Sequence, residues 1–273
     1  IVDHCIRLES KDEVLWLQHQ VEELGLPFYS ASFDVPRLSK EYKKSEETIG
    51  RQVRYQWLTE IAQSEGYDYI SVAHHKDDQA ESILAHIIRG SGLNGLTGMS
   101  VVQSEYAIPV VRPLLDVTKE NLLAYIGTKH ISYCVDSTNE DVRYQRNRIR
   151  HRIIPELEAV NPAVVDAIVR LGSSVNEDVM VISDLTSRTF DKLVSIGDDE
   201  VSISRRALRQ EPLAIQRRLW QRLVSTIDPE LMLTSAHQEQ LLDIVNTGEK
   251  KTFTIKSIKV IAQCDTIKVY CKH

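Results

Sequence analysis

Apolar residues along this chain recur at helical spacing in some stretches and alternate or run together in others. Residues 1–6 predict a short strand, and 11–24 a helix through Val14, Leu15, Leu17, Val21 and Leu24, stopped by Gly25. Residues 28–34 alternate like a strand until Pro36 breaks it. Ser45 is placed to cap a long helix running to about Ser64, with Ile49, Val53, Trp57, Leu58 and Ile61 as its buried stripe and Gly66 as its stop. Residues 67–73 form a compact apolar run suited to a strand covered on both faces. A helix over 78–89, a glycine-rich stretch, a strand over 107–112 and a helix over 118–127 follow. Strands alternating with helices predict βαβ units and a parallel sheet.

The pattern changes near Pro155. Residues 161–194 are helical and amphipathic, 201–204 a brief strand, 212–226 and 235–246 helices, and 252–261 and 266–269 alternating segments. The expected architecture is a Rossmann-like α/β domain over 1–158, then a mainly helical domain over 159–273 with short C-terminal strands. The hydrophobic share of 42% and charged share of 26% exclude collagen-like, disordered and coiled-coil classes. No apolar run approaches the roughly 20 residues of a membrane helix, so no membrane partner is expected. With 33 Lys and Arg against 39 Asp and Glu, the net charge of −6 leaves any nucleic acid to local basic patches. The four cysteines form no C-x-x-C pair, which fits a reducing compartment and argues against a zinc ribbon or Fe–S ligand set. No basic-then-apolar signal opens the chain, so a cytoplasmic location is expected.

Three segments carry candidate chemistry. In Ser71-Val-Ala-His74-His75-Lys-Asp77-Asp78-Gln-Ala-Glu81 a strand ends in two histidines and feeds a helix that begins with two acids. Ligands of open α/β sheets bind beyond the carboxyl ends of strands. Asp77, Asp78 and Glu81 share overlapping helix faces, where converging carboxylates suit Mg²⁺ or a substrate ammonium. The alternatives are acids that complement the helix dipole, or a His-His-Asp zinc site. In Arg89-Gly90-Ser91-Gly92-Leu-Asn-Gly95-Leu-Thr-Gly98-Met the G-x-G-x-x-G follows a helix, so it is not the dinucleotide fingerprint. It reads either as a helix stop with a tight loop, or as a glycine loop close to a nucleotide or RNA backbone. Residues 136–152, from Asp136 to Arg152, hold five arginines in the last ten positions; Arg146 and Arg150 stand four apart on one face, suited to phosphates. A solvated basic face is the alternative there. Arg51 and Arg54 on the long helix, and the arginines between 205 and 222, are further anion candidates set against ordinary surface arginine.

Taken in order, His74-His-x-Asp77-Asp78-Gln79-x-Glu81, Arg89-Gly-Ser-Gly-Leu-x-Gly-Leu-x-Gly-Met99, Arg112-Pro-Leu-Leu115 and Arg146-Asn-x-Ile-Arg150-His151 resemble the tRNA(Ile)-lysidine synthetases of the ATP-pyrophosphatase (PP-loop) superfamily. The joint order is specific, although no single motif is. The resemblance covers about residues 1–160 well; the second domain is similar to the family's first C-terminal domain through weaker motifs. Thiolating members of the superfamily usually bring paired cysteines, which this chain lacks.

The resemblance implies an adenine nucleotide alpha-hydrolase type of sheet and a two-step reaction. ATP adenylates the C2 oxygen of the wobble cytidine in tRNA(Ile) with a CAU anticodon, and the ε-amine of L-lysine then displaces AMP. It implies Asp78 and Glu81 around lysine and Mg²⁺, and Arg146 and Arg150 facing the phosphates and adenylated base. It puts Asp77, Arg51, Arg54, Arg89, Gly90, Ser91 and Gly92 on the substrate side and His4 and Arg7 on the nucleotide side. Arg143, Arg148 and His151, and from the basic cluster of the second domain Arg205, Arg206 and Arg217, are the expected tRNA contacts. Either Glu81 or His74 would take the lysine proton. Oligomeric state stays open, a homodimer included.

One departure bears on activity. The Ser-Gly-Gly-x-Asp-Ser pyrophosphate loop does not occur in residues 1–273, and residues 1–7 resemble the second strand of the family sheet. The expectation is that a first strand, loop and helix precede these residues, that a further C-terminal domain follows them, and that the polypeptide as written is inactive or severely impaired. Two other readings are a loop-less tRNA-binding remnant and another PP-loop RNA-modifying enzyme.

Overall fold

The computed structural model describes residues 1–7, 9–104, 106–134, 141–197, 200–247 and 250–271. Two compact units divide the chain, Ile1–Ser173 and Ser174–His273.

The first unit opens with β1 (Val2–Asp3), α1 (Ser10–Glu23), β2 (Ala31–Ser32), α2 (Val35–Tyr42) and α3 (Glu46–Glu65). β3 (Ile70–Ser71), α4 (Lys76–Ile88), α5 (Leu93–Leu96), β4 (Val102–Gln103), β5 (Val110–Val111) and α6 (Lys119–Lys129) continue it. β1 pairs parallel with β2 and β3 parallel with β5, as βαβ logic predicts, while β4 adds antiparallel to β5. Hydrogen bonds from Ile70 N–H to Pro109 O and from Val72 N–H to Val111 O extend the β3–β5 pairing beyond its two-residue ladder.

Local chemistry explains the boundaries. The Ser45 hydroxyl accepts from Thr48 N–H at 3.2 Å to start α3, and Gly66 ends it at φ +72°. Pro36, expected only to break a strand, instead sits in the first turn of α2, where its missing N–H costs nothing; Asp34 caps that helix by accepting from Arg37 N–H. The buried face of α3 is rotated from the expected stripe: Ile49, Tyr55 and Ala62 are buried, whereas Val53, Trp57 and Ile61 are half-buried. Tyr55 and Ala62 pack with Ile70 and Val110 in a small core that joins α3 to the sheet.

α7 (Gln145–Arg148) runs through a π-helical turn (Ile149–Ile153) into α8 (Ile154–Val160), and α9 (Val164–Leu193) carries the chain from the first unit into the second. The second unit adds β6 (Val194–Ile196), β7 (Glu200–Ser204), α10 (Arg205–Gln210), α11 (Leu213–Ile227) and α12 (Ser235–Thr247). It closes with β8 (Lys251–Ile255), β9 (Ile258–Gln263) and β10 (Thr266–Cys271). These strands make one antiparallel sheet in the order β6-β7-β10-β9-β8. The alternating run over 252–261 is thus two strands of a hairpin, turning where Lys256 takes φ +45°. Trp220, Leu219, Leu223, Leu241 and Val245 bury against Val201, Ile203, Val260, Ile267 and Val269. Among the described residues no helix is long and apolar enough to cross a membrane.

Candidate active site

The strand ending at Ser71 delivers His74 and His75 to the start of α4, and this junction builds the site. Asp78, at the third position of the helix, accepts from the His75 N–H at 3.0 Å and so closes the first turn. Asp77 points elsewhere: its Oδ2 accepts from Lys119 N–H at 2.8 Å, tying α4 to the start of α6. The His75 ring, whose Nδ1 lies 3.3 Å from Asp77 Oδ2, helped by the Lys119 N–H, lowers the pKa of the Asp77 carboxyl to about 2.

Asp78 and Glu81 lie one turn apart and are buried, 7% and 1% exposed. Arg146 and Arg150, one turn apart on α7 and the π-helical turn, meet them directly. Arg146 donates from Nη2 to Asp78 Oδ1 and from Nε to Glu81 Oε2, both at 2.8 Å. Arg150 donates from Nε to Glu81 Oε1 at 2.6 Å, and from Nη2 to Asp78 Oδ1 at 3.1 Å and Glu81 Oε2 at 3.0 Å. Two negative and two positive groups thus neutralise one another in a place where any one left alone would be costly.

All four carboxylate oxygens already accept a hydrogen bond. They are hard oxygen donors of the kind Mg²⁺ takes, and three of the four, all but Asp78 Oδ2, are engaged by a guanidinium. Among the described residues no group of three or more His, Cys, Asp and Glu side chains is poised to hold a metal ion.

Beside the cluster lies a cavity of about 570 Å³ whose walls include Glu81, Arg146 and His74. Arg51, Arg89 and Arg112 also face it, so four guanidiniums meet two carboxylates, Glu47 and Glu81. Such a lining attracts anions. The Nδ1 of His74 is buried without a partner. Burial, reinforced by Arg112, Arg146 and Arg51 and opposed by Asp78, pushes its pKa down to about 4, so the imidazole is neutral at physiological pH.

Another wall is the end of the glycine-rich loop, held by Gln79 and Arg112, two residues that the sequence motifs contain but to which sequence reasoning gave no role. Gln79 donates from Nε2 to Met99 O at 2.9 Å and accepts from Met99 N–H at 2.6 Å. Gly98 takes φ +70°, and a Cβ there would lie 2.7 Å from the Gln79 amide. The buried Arg112 donates to Ser100 O at 2.8 Å and to Gln103 Oε1 at 2.7 Å. The signal for Gln79 was present: it sits between the acids on α4, where helix geometry turns it off their face. Gly90, at φ +69° just beyond α4, fits the helix-stop reading of its motif.

The remaining expected residues are spread over both units. Arg89 lines the cavity and reaches Gln145 Oε1 at 3.4 Å, while Gly90, Ser91 and Gly92 are not in its walls. His4 packs against Gly50 away from the cavity walls, its pKa lowered by burial and by Arg54. Arg7 pairs with Glu13 at 3.0 Å. Arg143 grips Asp141 at 2.7 Å, and Arg148 and His151 are exposed. In the second unit Arg206 and Arg217 are exposed, but Arg205 is buried at 4%, unlike a phosphate contact on an open surface. The first part of the third segment, Asp136–Glu140, lies outside the described residues.

The match to known proteins covers the stretch of chain that holds this cluster. The PP-loop domain family matches residues 1–157. A tRNA(Ile)-lysidine synthase of Porphyromonas gingivalis W83 is 32% identical over 77% of this chain and 44% of its own length. That of Caldanaerobacter subterraneus subsp. tengcongensis is 30% identical over 98% of this chain and 56% of its own. The chain therefore spans about half the length of the curated relatives it matches. Among solved structures, the U34-tRNA thiolase NcsA from Methanococcus maripaludis, with its [4Fe-4S] cluster, superposes at a TM-score of 0.51. It shares 19% identity and covers 64% of this chain and 60% of its own, a likeness of fold alone. With the matching model spanning more than half of its residues, the chain belongs to the PP-loop domain family.

Proposed function

We propose that this chain carries the catalytic residues of an ATP-dependent ligase that joins L-lysine to C2 of the wobble cytidine in tRNA(Ile) with a CAU anticodon. The observation that supports this most is the Asp78–Glu81–Arg146–Arg150 cluster at the edge of the arginine-lined cavity. Its guanidiniums suit the phosphates of ATP and the adenylated base, and its carboxylates suit the lysine ammonium and Mg²⁺. In the free protein each pair satisfies the other. An incoming polyphosphate competes for Arg146, the more exposed arginine, and an arginine that turns to phosphate leaves carboxylate oxygens open to a cation.

The attacking amine must lose a proton. His74, unprotonated at neutral pH, positions substrate by hydrogen bonding rather than by charge, and Glu81 is the acceptor in this scheme. Arg148, Arg206 and Arg217, all exposed, supply tRNA backbone contacts in this reading.

The test is incorporation of labelled lysine into a CAU-bearing tRNA(Ile) transcript with ATP and Mg²⁺. It uses the 273 residues as they stand and the same residues preceded by a Ser-Gly-Gly-x-Asp-Ser strand, loop and helix. ATP-dependent label is expected in the second case, falling about 10²-fold or more in Glu81→Gln. Label that needs no ATP, or that goes equally to a transcript with another wobble base, would overturn the reading.

A further inference from the structure

A second recess, about 670 Å³, runs along α3 next to the first, and Arg51 lines both. Its floor is a stack. The rings of Tyr55 and Tyr106 lie 4.9 Å apart and 8° from parallel, and the Arg51 guanidinium carbon sits 4.6 Å over the Tyr55 ring. Tyr55 is 4% exposed and fixed in the core, whereas Arg51 is exposed. The guanidinium is therefore a planar, charged surface laid on a rigid aromatic base. Thr48, Gln52, Gln56 and Thr59 edge the recess; the Gln56 amide is engaged by Glu60 at 3.0 Å.

RNA-binding sites recognise single-stranded bases by stacking them on aromatic rings or guanidinium planes and by bonding their edges to polar side chains. A nucleotide chain leaving the first cavity on the Arg51 side enters this recess. Resting on the ligase reading above, we infer that the recess holds the base flanking the target cytidine, stacked on the Arg51 guanidinium with its edge against the Gln52 amide. Glu60 also lines the recess, its carboxylate engaged by Gln56, and the polar rim with the exposed guanidinium plane favours a nucleotide base over an apolar peptide.

The test uses two single-stranded CAU-containing RNAs with 2-aminopurine, whose fluorescence falls on stacking, on one or the other side of the cytidine, and their abasic counterparts. One of the fluorescent RNAs is expected to be quenched on binding, and removing that base is expected to weaken binding about tenfold. In Arg51→Lys, which keeps the charge but not the plane, the quench disappears and the intact and abasic RNAs bind alike. If Arg51→Lys quenches as the parent does, or loses the intact and abasic RNAs by the same factor, Arg51 touches phosphate only and the inference falls while the ligase reading stands. If neither RNA binds the parent chain, the recess and the RNA reading fall together. Unchanged circular dichroism and melting temperature of Arg51→Lys establish that the variant is folded.

Discussion

Asp78 and Glu81 were legible as a carboxylate pair and Arg146 and Arg150 as a guanidinium pair, because helical spacing fixes which side chains share a face. That the pairs would meet was not legible, since 65 residues separate Glu81 from Arg146. The energetic consequence is asymmetric. Arg150, 22% exposed, makes three of the contacts, and Arg150→Ala leaves the buried Glu81 Oε1 without a donor while Arg146 still pairs the carboxylate, at a cost of about 1–3 kcal/mol. Arg146→Ala, at a side chain 42% exposed, is expected to cost clearly less, and urea unfolding of both variants checks the order. His74 adds a pH signature. Its folded pKa of about 4 lies below the unfolded value near 6.5, so the unfolded chain takes up the proton first. The stability this lends is present above pH 6.5 and lost as pH falls toward 4. Urea midpoints measured from pH 7 to 4 should therefore decline, and His74→Gln should flatten part of that decline. His4 and His86, lowered in the same direction, supply more of it.

At the scale of elements, most helices were readable from periodicity and caps; four first-unit strands were placed correctly but drawn too long, and the antiparallel β4 was not foreseen. Strand lengths depend on partners that a single segment does not reveal. The short β6 and the split of residues 252–261 into β8 and β9 are further cases, since register across a sheet is a long-range property. The glycine loop shows what spacing alone misses. Its glycines suggested a backbone near phosphate, yet two of them are crowded by side chains, Gly95 by Ser91 and His86 and Gly98 by Gln79. α4 thus carries the carboxylates on one face and, through Gln79, holds the cavity wall on another. Gln79→Ala is expected to speed amide hydrogen exchange at Met99 while exchange in the middle of α4 stays slow. Gly98→Ala combines a positive φ with a steric clash and should cost about 1–3 kcal/mol. Equal protection of Met99 in Gln79→Ala and parent would refute the clamp.

At the scale of the whole molecule, two cores are evident: a small one joining α3 to the first sheet and a larger one around Trp220. The sequence signalled a second domain by its change of pattern near Pro155, whereas the contact division falls at Ser173, inside α9, because a continuous helix hides a boundary from periodicity. Separate cores predict separate unfolding. Trp220 is fully buried in the second unit, while Trp16 and Trp57 belong to the first. Fluorescence of Trp220→Phe therefore reports the first unit, and its urea midpoint is expected to differ from that of a variant retaining Trp220 alone. One shared midpoint would show that the units melt as one.

Because the cations in the buried cluster are guanidiniums, guanidinium chloride is for this protein a chemical competitor as well as a denaturant. At concentrations too low to unfold the chain it offers Asp78 and Glu81 a soluble substitute for Arg146. Titrations in urea and in guanidinium would then diverge before any unfolding begins.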